Sequence, residues 1–488
     1  MTVKIAVLSD AHMAQEAAGN RRGDIAPILL LRAVNRLNRW VQPDVTLILG
    51  DLINDPQAAE AEAYLRELRV IVDRIQSPTL VIPGNHDMEA DRFYRIFDRP
   101  GDWLEVAGVR FVPFLDPEEP GWNARREGRD LDRMAAARVG FAGPLVSVQH
   151  VPVFPPGRSE CPYNYVNAEA VIEAMAANSY RLAVSGHFHP GMEVVRQGEM
   201  SFVAGPALCE APFRFDELEL ADDQVRLTRH SLAMPAELGL VDLHVHTHLA
   251  YCNENMTVRA ATAFGREMGL AEVAFAEHTS HLYYDREVYS SGAFLDAGVD
   301  GDAKQTLRVK EYFAALEEAD CPQRNWGLEA DCDFRGRPVV REEDRSRVNF
   351  IIGAVHRLPA QRVTPVSEER MAQEFLSTCE RLVRSGIQVL AHPFRVFRRT
   401  RIGTPRELFR PLARMLREHG VAAEINYHTN EPPAEFFRLC LEDGVRITFG
   451  NDAHNLYEVG EFWPHLRLLE ECGFSGRADQ VLFDPRRG

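Results

Sequence analysis

The sequence predicts an α/β protein built as two successive units, the second with the strand count and size of a barrel. Three observations predict this. Short β-branched runs alternate with segments of helical periodicity along the whole chain, the pattern of sheets covered by helices. The stretch HSLAMPAELG, 230–239, separates two halves and is followed by a fresh strand, LVDLHVH. In the second half, about seven strand–helix units fit into about 250 residues, the size of one barrel. Each of those strands ends in a side chain able to bind a metal or a substrate.

In the first half, IAVLSD (5–10), VTLILGD (45–51), TLVIPG (79–84), LVSVQH (145–150) and RLAVSGH (181–187) read as buried strands. LLLRAVNRLNRW, between the first two, repeats apolar residues at helical spacing. Asp116 to Arg133, rich in Gly, Pro and charge, reads as a long loop, and 213–232 as terminal antiparallel strands. In the second half the expected strands are 240–246, 271–277, 326–330, 349–356, 387–392, 421–426 and 446–451. TPRE, Thr404 to Glu407, has the pattern of a capping box with Pro at the first helical position. The boundaries that follow are 1–232 and 238–488.

Composition narrows the classes. The 488 residues are 45% apolar and 26% charged, with a formal net charge of −17. Such an acidic chain does not hold duplex nucleic acid by bulk counterion release, although a short single-stranded end remains open. The 8 cysteines are spread without a CxxC pair, which points to a reducing compartment rather than a disulfide scaffold. The apolar run in MTVKIAVLSD is too short for a signal-peptide core, and no run approaches the roughly 18 residues of a membrane span. The expectation is a cytoplasmic protein with no membrane partner.

Where strands give way to polar turns, the first half places SDAHM with Asp10 and His12, GDLIND with Asp51, PGNHDM with Asn85 and His86, then His150, His187 and His189. Carboxylate oxygens with imidazole nitrogens suit Mn, Fe or Zn. The order D-x-H, G-D, G-N-H-D, H, G-H-x-H resembles the calcineurin-like metallophosphoesterases over about residues 1–232. The resemblance implies a β-sandwich flanked by helices and two divalent metals. Asp10, His12, Asp51 and His189 would hold one metal. Asp51 would bridge to the other, held with Asn85, His150 and His187. His86 would serve the leaving-group oxygen or the phosphoryl charge. The stretch after G-N-H-D looks most like the branch that includes cyclic-nucleotide phosphodiesterases.

The second half carries its own inventory: His244 and His246 in VDLHVHTHLAYC, His278 in AEH, Glu329 in GLE, His356 in AVH, His392 in AHP, and Asp452 and His454 in NDAH. Of the 17 histidines, five fall in the first set and six in the second, so two centres are expected rather than one assembled from distant pieces. This order resembles the PHP (polymerase and histidinol phosphatase) family over about residues 238–460. Its members are distorted (β/α)7 barrels with two or three metals (Zn, Mn or Fe). His244, His246, Glu329 and Asp452 would hold the first metal, and Glu329 would bridge to a second with His356 and His392. His278 and His454 would hold a third with a ligand six residues after His246.

That sixth position is Cys252, where the family has Asp or His. A thiolate would bias the site towards zinc; the other reading is a buried structural cysteine, with His248 in its place. Glu277 is expected to orient His278. In HPFRVFRRTR, 392–401, Arg395 is the expected phosphate grip, and Arg398, Arg399 and Arg401 a solvated loop. Glu424, Asn426 and His428 contact substrate or close the layer. His230, His281, His419 and His465 read as structural or surface. The two resemblances together imply a bifunctional metal-dependent phosphoesterase acting on a small phosphorylated, nucleotide-like substrate. The first domain would hydrolyse a phosphodiester and the second a phosphomonoester, with metal-activated hydroxide as nucleophile. Two alternatives are a nuclease or nucleic-acid end-processing enzyme, and a nucleotide-binding sensor with one silent domain.

Overall fold

The computed structural model describes residues 2–221, 224–299, 306, 308–398, 400 and 402–487. The chain divides into two compact units, Met1–Leu232 and Ala233–Gly488.

The first unit is a sandwich of two sheets. From edge to edge, one runs Val225–Ser231, Arg214–Leu220, Val3–Leu8, Val45–Ile48, Thr79–Val81. The other runs Met192–Gln197, Met200–Ala204, Tyr180–Ser185, Leu145–Val148, Val109–Pro113, Leu104–Val106. Val3, Ile5 and Val7 alternate along the first strand and share one apolar cluster with Phe111, Val146 and Leu182 of the second sheet. This is the period-2 burial that two facing sheets require. The helices Gly128–Ala136 and Ala168–Ala177 supply Met134, Val171 and Met175 to another cluster with Leu145, Ala183 and Phe202. Ala26–Arg36 is tied to the first sheet by buried Arg36, whose guanidinium donates to Ser231 O at 2.7 Å.

The expected terminal antiparallel strands pair in full register, Arg214 opposite Ser231 through Leu220 opposite Val225. The expected long loop at 116–133 is not a loop throughout. It contains a short hairpin, Glu118–Glu119 with Asn123–Ala124, and the helix Gly128–Ala136. Its charges are not all solvated: Arg126 is buried and pairs with Asp116 at 2.8 Å, and Tyr165 donates to the same carboxylate at 2.6 Å. A buried ion pair fastens a segment whose composition reads as irregular.

The second unit contains seven parallel strands in sequence order: Val241–Val245, Glu272–His278, Trp326–Asp331, Phe350–Ala354, Val389–Leu390, Ala422–Ile425 and Ile447–Phe449. The ring nearly closes where His246 N donates to Ala453 O and Ala453 N donates to His244 O, both at 3.1 Å. This is the α/β barrel the strand count predicts. One expected detail fails. The 3-10 turn Arg406–Leu408 begins one residue late, with Pro405 in the N-cap position and no side-chain cap. Proline there has no side-chain oxygen to accept from the first turn, so the TPRE capping box does not form.

Candidate metal centres

In the first unit, every expected side chain converges at the strand ends. Asp51 Oδ2 lies 3.6 Å from His12 Nε2 and 3.4 Å from His150 Nε2. On the His12 side, His189 Nε2 is 3.2 Å from His12 Nε2 and 3.5 Å from Asp10 Oδ1. On the His150 side, its Nε2 is 3.0 Å from Asn85 Oδ1 and 3.1 Å from His187 Nδ1. The set therefore has two halves with Asp51 between them. Asp10 Oδ1 is buried with no hydrogen-bond partner among the described residues. Burial alone would raise the Asp10 pKa, yet His12 and His189 hold it well below the usual carboxylate value. His86 N donates to Asp51 Oδ1 at 2.7 Å, and its ring Nδ1 donates to Asn54 O at 2.8 Å.

In the second unit, Glu329 occupies the equivalent position. Its Oε1 lies 3.0 Å from His392 Nε2 and 3.4 Å from His356 Nε2, and its Oε2 3.6 Å from His244 Nε2. Asp452 Oδ1 lies 2.8 Å from His246 Nε2 and 3.6 Å from His244 Nε2. His278 contacts Glu329 through Nδ1 and faces His454, Nε2 to Nε2, at 3.4 Å. His244 Nε2 and Glu329 Oε2 are buried without hydrogen-bond partners among the described residues. Buried polar atoms are normally paired, and these are the atoms a cation would engage. Both sets fit divalent metals by donor chemistry and by these orphaned atoms.

Backbone strain marks the same residues. Asp10, His12, Asp51, His187, His392 and Asp452 all take positive φ, from 29° to 66°. Each such non-glycine residue costs on the order of 1–3 kcal/mol and persists where the surroundings over-determine it.

A calcineurin-like phosphoesterase model matches residues 3–191, and a PHP domain model matches residues 242–428. The chain joins a calcineurin-like phosphoesterase domain to a PHP domain. Among curated proteins it resembles a probable phosphatase of Acetivibrio thermocellus, 28% identical over 155 residues, 30% of this chain and 58% of the relative. It also resembles metallophosphoesterase 1 of Cricetulus griseus, 24% identical over 258 residues, 42% of this chain and 65% of the relative. The chain thus spans 58% to 65% of the length of these relatives. Among solved structures, a dimetal phosphatase from Danio rerio covers 47% of this chain and 96% of its own length at 15% identity, with a TM-score of 0.41.

Each domain carries residues that aim its histidines. In the phosphoesterase domain, His189 Nδ1 donates to Glu210 Oε1 at 2.6 Å and His150 Nδ1 to Leu49 O at 2.6 Å. In the PHP domain, His244 Nδ1 donates to Glu424 Oε1 at 2.7 Å, and His356 Nδ1 to Asp331 Oδ1 at 2.6 Å. Fixing Nδ1–H leaves Nε2 as the ligating nitrogen. Glu277 behaves differently from expectation. It accepts from His246 Nδ1 at 3.1 Å and from the backbone N of His278, so the ring it orients is that of His246. Glu424 also accepts from His392 N at 2.8 Å and from Asn426 Nδ2 at 3.1 Å; supporting the histidines in this way is a role beyond the two expected for it.

The Cys252 thiol lies within 4.8 Å of ring nitrogens of His278 and His281. Cys252 is exposed, not the buried structural cysteine of the other reading, and desolvation of its thiol with the nearby Asp452 and Glu277 carboxylates pushes the pKa up to about 12, so a metal there must displace a proton. His248, its expected substitute, is exposed. Arg395 is buried and lines the pocket over the PHP centre. It bonds Asp452 and donates to His356 Nε2 at 2.7 Å. Arg398 pairs with Glu431 at 3.5 Å, while Arg399 and Arg401 lie outside the described residues. Four neighbours carried no sequence signal. Arg21 reaches within 3.4 Å of His12 Nδ1, and Trp122 lies beside His86. Cys209 is buried beside His12 and His189. Exposed Arg357 lines the pocket over the PHP centre and makes no hydrogen bond or ion pair among the described residues.

Among the described residues, no helix is long and apolar enough to cross a membrane.

Proposed function

We propose that the phosphoesterase domain hydrolyses a phosphodiester and the PHP domain removes the phosphate of a monoester, both from small nucleotide-like substrates. The observation that carries this is the contrast between the two clefts. The N-terminal cleft has a volume of 550 Å³ and is lined by Trp122, Tyr163 and Phe188 as well as by Asp51 and His86. That leaves room for two substituents on phosphorus. The C-terminal pocket is 190 Å³, with Arg357 and Arg395 in its wall. Two guanidiniums in a small pocket suit a phosphate dianion with one substituent.

Two divalent metals in the first centre and two or three in the second account for the ligand sets. Asp51 and Glu329 would then be the shared carboxylates, and Cys252 would be a zinc-favouring ligand of the third metal. The metals supply Lewis acidity and lower the pKa of water beside phosphorus. His86, fixed by its bond to Asn54 O, turns its other nitrogen to the leaving-group oxygen. A diesterase product passed to a tethered monoesterase meets a raised effective concentration of the second site. Net acidity disfavours extended nucleic acid as a partner.

The test is a product time course with bis(p-nitrophenyl) phosphate and manganese for wild type, Asp51→Ala and Glu329→Ala. Glu329→Ala is expected to stop at p-nitrophenyl phosphate. Asp51→Ala is expected to lose the first cleavage and still hydrolyse added monoester. If either variant matches wild type through both steps, the division of labour is wrong.

A further inference from the structure

Trp122 is 52% exposed and holds a left-handed backbone, φ 62°. A large apolar ring in that position is costly twice over, in strain and in hydration. The surroundings build it deliberately. Asn123 Nδ2 donates to Pro120 O at 2.9 Å and Asn123 Oδ1 accepts from Asn164 N at 3.0 Å, closing the turn that carries Trp122. The buried Arg126–Asp116 pair, 2.8 Å, anchors the strand that follows. The Trp122 carbonyl accepts from His187 Nε2 at 3.1 Å, which leaves His187 Nδ1 to the metal cluster. The backbone of this residue is therefore tied to the centre and its ring stands in the cleft. The indole lies nearly parallel to the His86 imidazole, 14° apart in plane, with centroids 6.5 Å apart, near the far limit of direct stacking. Tyr163 lines the same cleft, its ring 4.7 Å from that of His187.

We propose that Trp122 determines the specificity of the N-terminal centre by selecting phosphoesters whose leaving group carries a flat aromatic ring. This rests on the phosphoesterase reading above. With phosphorus beside Asp51 and the leaving oxygen at His86, the group attached to that oxygen lies along the indole face. Stacking on an aromatic wall tolerates any planar ring, a nucleobase or an aryl group alike, because each has a π-face. Arg21, in the wall of the same cleft and bonded to Asn54 Oδ1 at 3.1 Å, brings positive charge for the phosphate without choosing the ring.

The experiment uses the full-length chain carrying Glu329→Ala, with manganese, so that turnover of bis(p-nitrophenyl) phosphate reports the N-terminal centre. Inhibition by adenosine 5′-monophosphate is compared with inhibition by ribose 5-phosphate, which has the same phosphate and sugar without the ring. The nucleotide is expected to inhibit at a concentration about tenfold lower, about 1.4 kcal/mol. Adding Trp122→Ala is expected to bring the two inhibition constants within about twofold, and adding Trp122→Phe to keep most of the preference. Manganese content and circular dichroism of each variant separate loss of the wall from loss of the centre. Equal constants in the parent, or a preference that survives Trp122→Ala, would overturn the proposal. If bis(p-nitrophenyl) phosphate is not turned over, the diesterase reading fails. Calorimetric binding of the same two ligands to the manganese-loaded chain then still decides the wall, by the same preference and the same loss.

Discussion

The Nε2 atom of His356 accepts a 2.7 Å hydrogen bond from Arg395, whose guanidinium also bonds Asp452. Both partners belong to the ligand set of the PHP domain, so the guanidinium stands where positive charge is wanted. A metal held by Asp452 and His356 would compete with Arg395 for these two side chains, and loading would release the guanidinium to grip phosphate in the pocket it lines. Arg395→Gln is expected to bind metal at least as tightly as wild type while its KM for p-nitrophenyl phosphate rises about tenfold or more, as loss of a charge-assisted bond implies. Metal titration and steady-state kinetics check this. Weakened metal binding with an unchanged KM would make Arg395 a support for the ligands alone.

Glu424 reaches two ligands at once, His244 through Nδ1 and His392 through its backbone N. Removing its charge while keeping its shape should loosen both. Glu424→Gln is expected to lower metal affinity of the PHP centre about 10–100-fold, the range for partners of ligating histidines, and to leave the phosphoesterase domain loaded. Metal content after dialysis against graded chelator reads both centres in one sample.

The legible part of these sites is local, and the illegible part is long-range. Asp10, Asp51, His187 and Asp452 stand directly after β-branched runs, so their place at a strand end follows from the pattern of neighbours. Glu210 and Asp331 meet their histidines only because separate strand ends converge, and nothing beside them in sequence announces it. Trp122 is hidden in a segment whose Gly, Pro and charge read as loop, because the ion pair that orders it joins Asp116 to Arg126, and Asp116 accepts a further hydrogen bond from Tyr165 farther on. The TPRE motif failed for the opposite reason: its local pattern is good, but the chain places Pro405, not Thr404, at the N-cap.

Gly84 leaves no room for a side chain. A Cβ there would lie 2.3 Å from Asp51 Oδ1 and 2.6 Å from His150 Cε1. Gly128 opens a helix with nothing within 4 Å. Gly84→Ala is therefore expected to destabilise the protein by about 1–3 kcal/mol and to abolish bis(p-nitrophenyl) phosphate turnover by displacing the Asp51 carboxylate. Gly128→Ala is expected to be neutral or stabilising by about 0.5–1 kcal/mol. Thermal melts and bis(p-nitrophenyl) phosphate turnover of the two variants compare one added methyl in two environments.

Protons stand in for metals when both centres are stripped. Burial lowers the pKa of His150, but the Asp51 carboxylate outweighs it and raises the group to about 9 from 6.5. His246 is likewise raised to about 9, as its bonds to Asp452 and Glu277 outweigh burial. A histidine raised on folding stabilises the fold fully below its unfolded pKa, and that stabilisation is lost as pH climbs through the folded value. Metal-free protein is thus expected to lose stability between about pH 6.5 and 9, by on the order of 3 kcal/mol for each of these histidines. His187, lowered to about 4 by burial and by His150, is neutral throughout that window and does not oppose the trend. Metals reverse the sign, because they bind the deprotonated nitrogens and displace these protons. Melting temperatures in chelator should fall from pH 6.5 to 9, while those in excess manganese should hold or rise over the same range. A flat chelator series would mean that His150 and His246 do not carry these protons, and that the carboxylates between the ligand halves are neutralised in some other way.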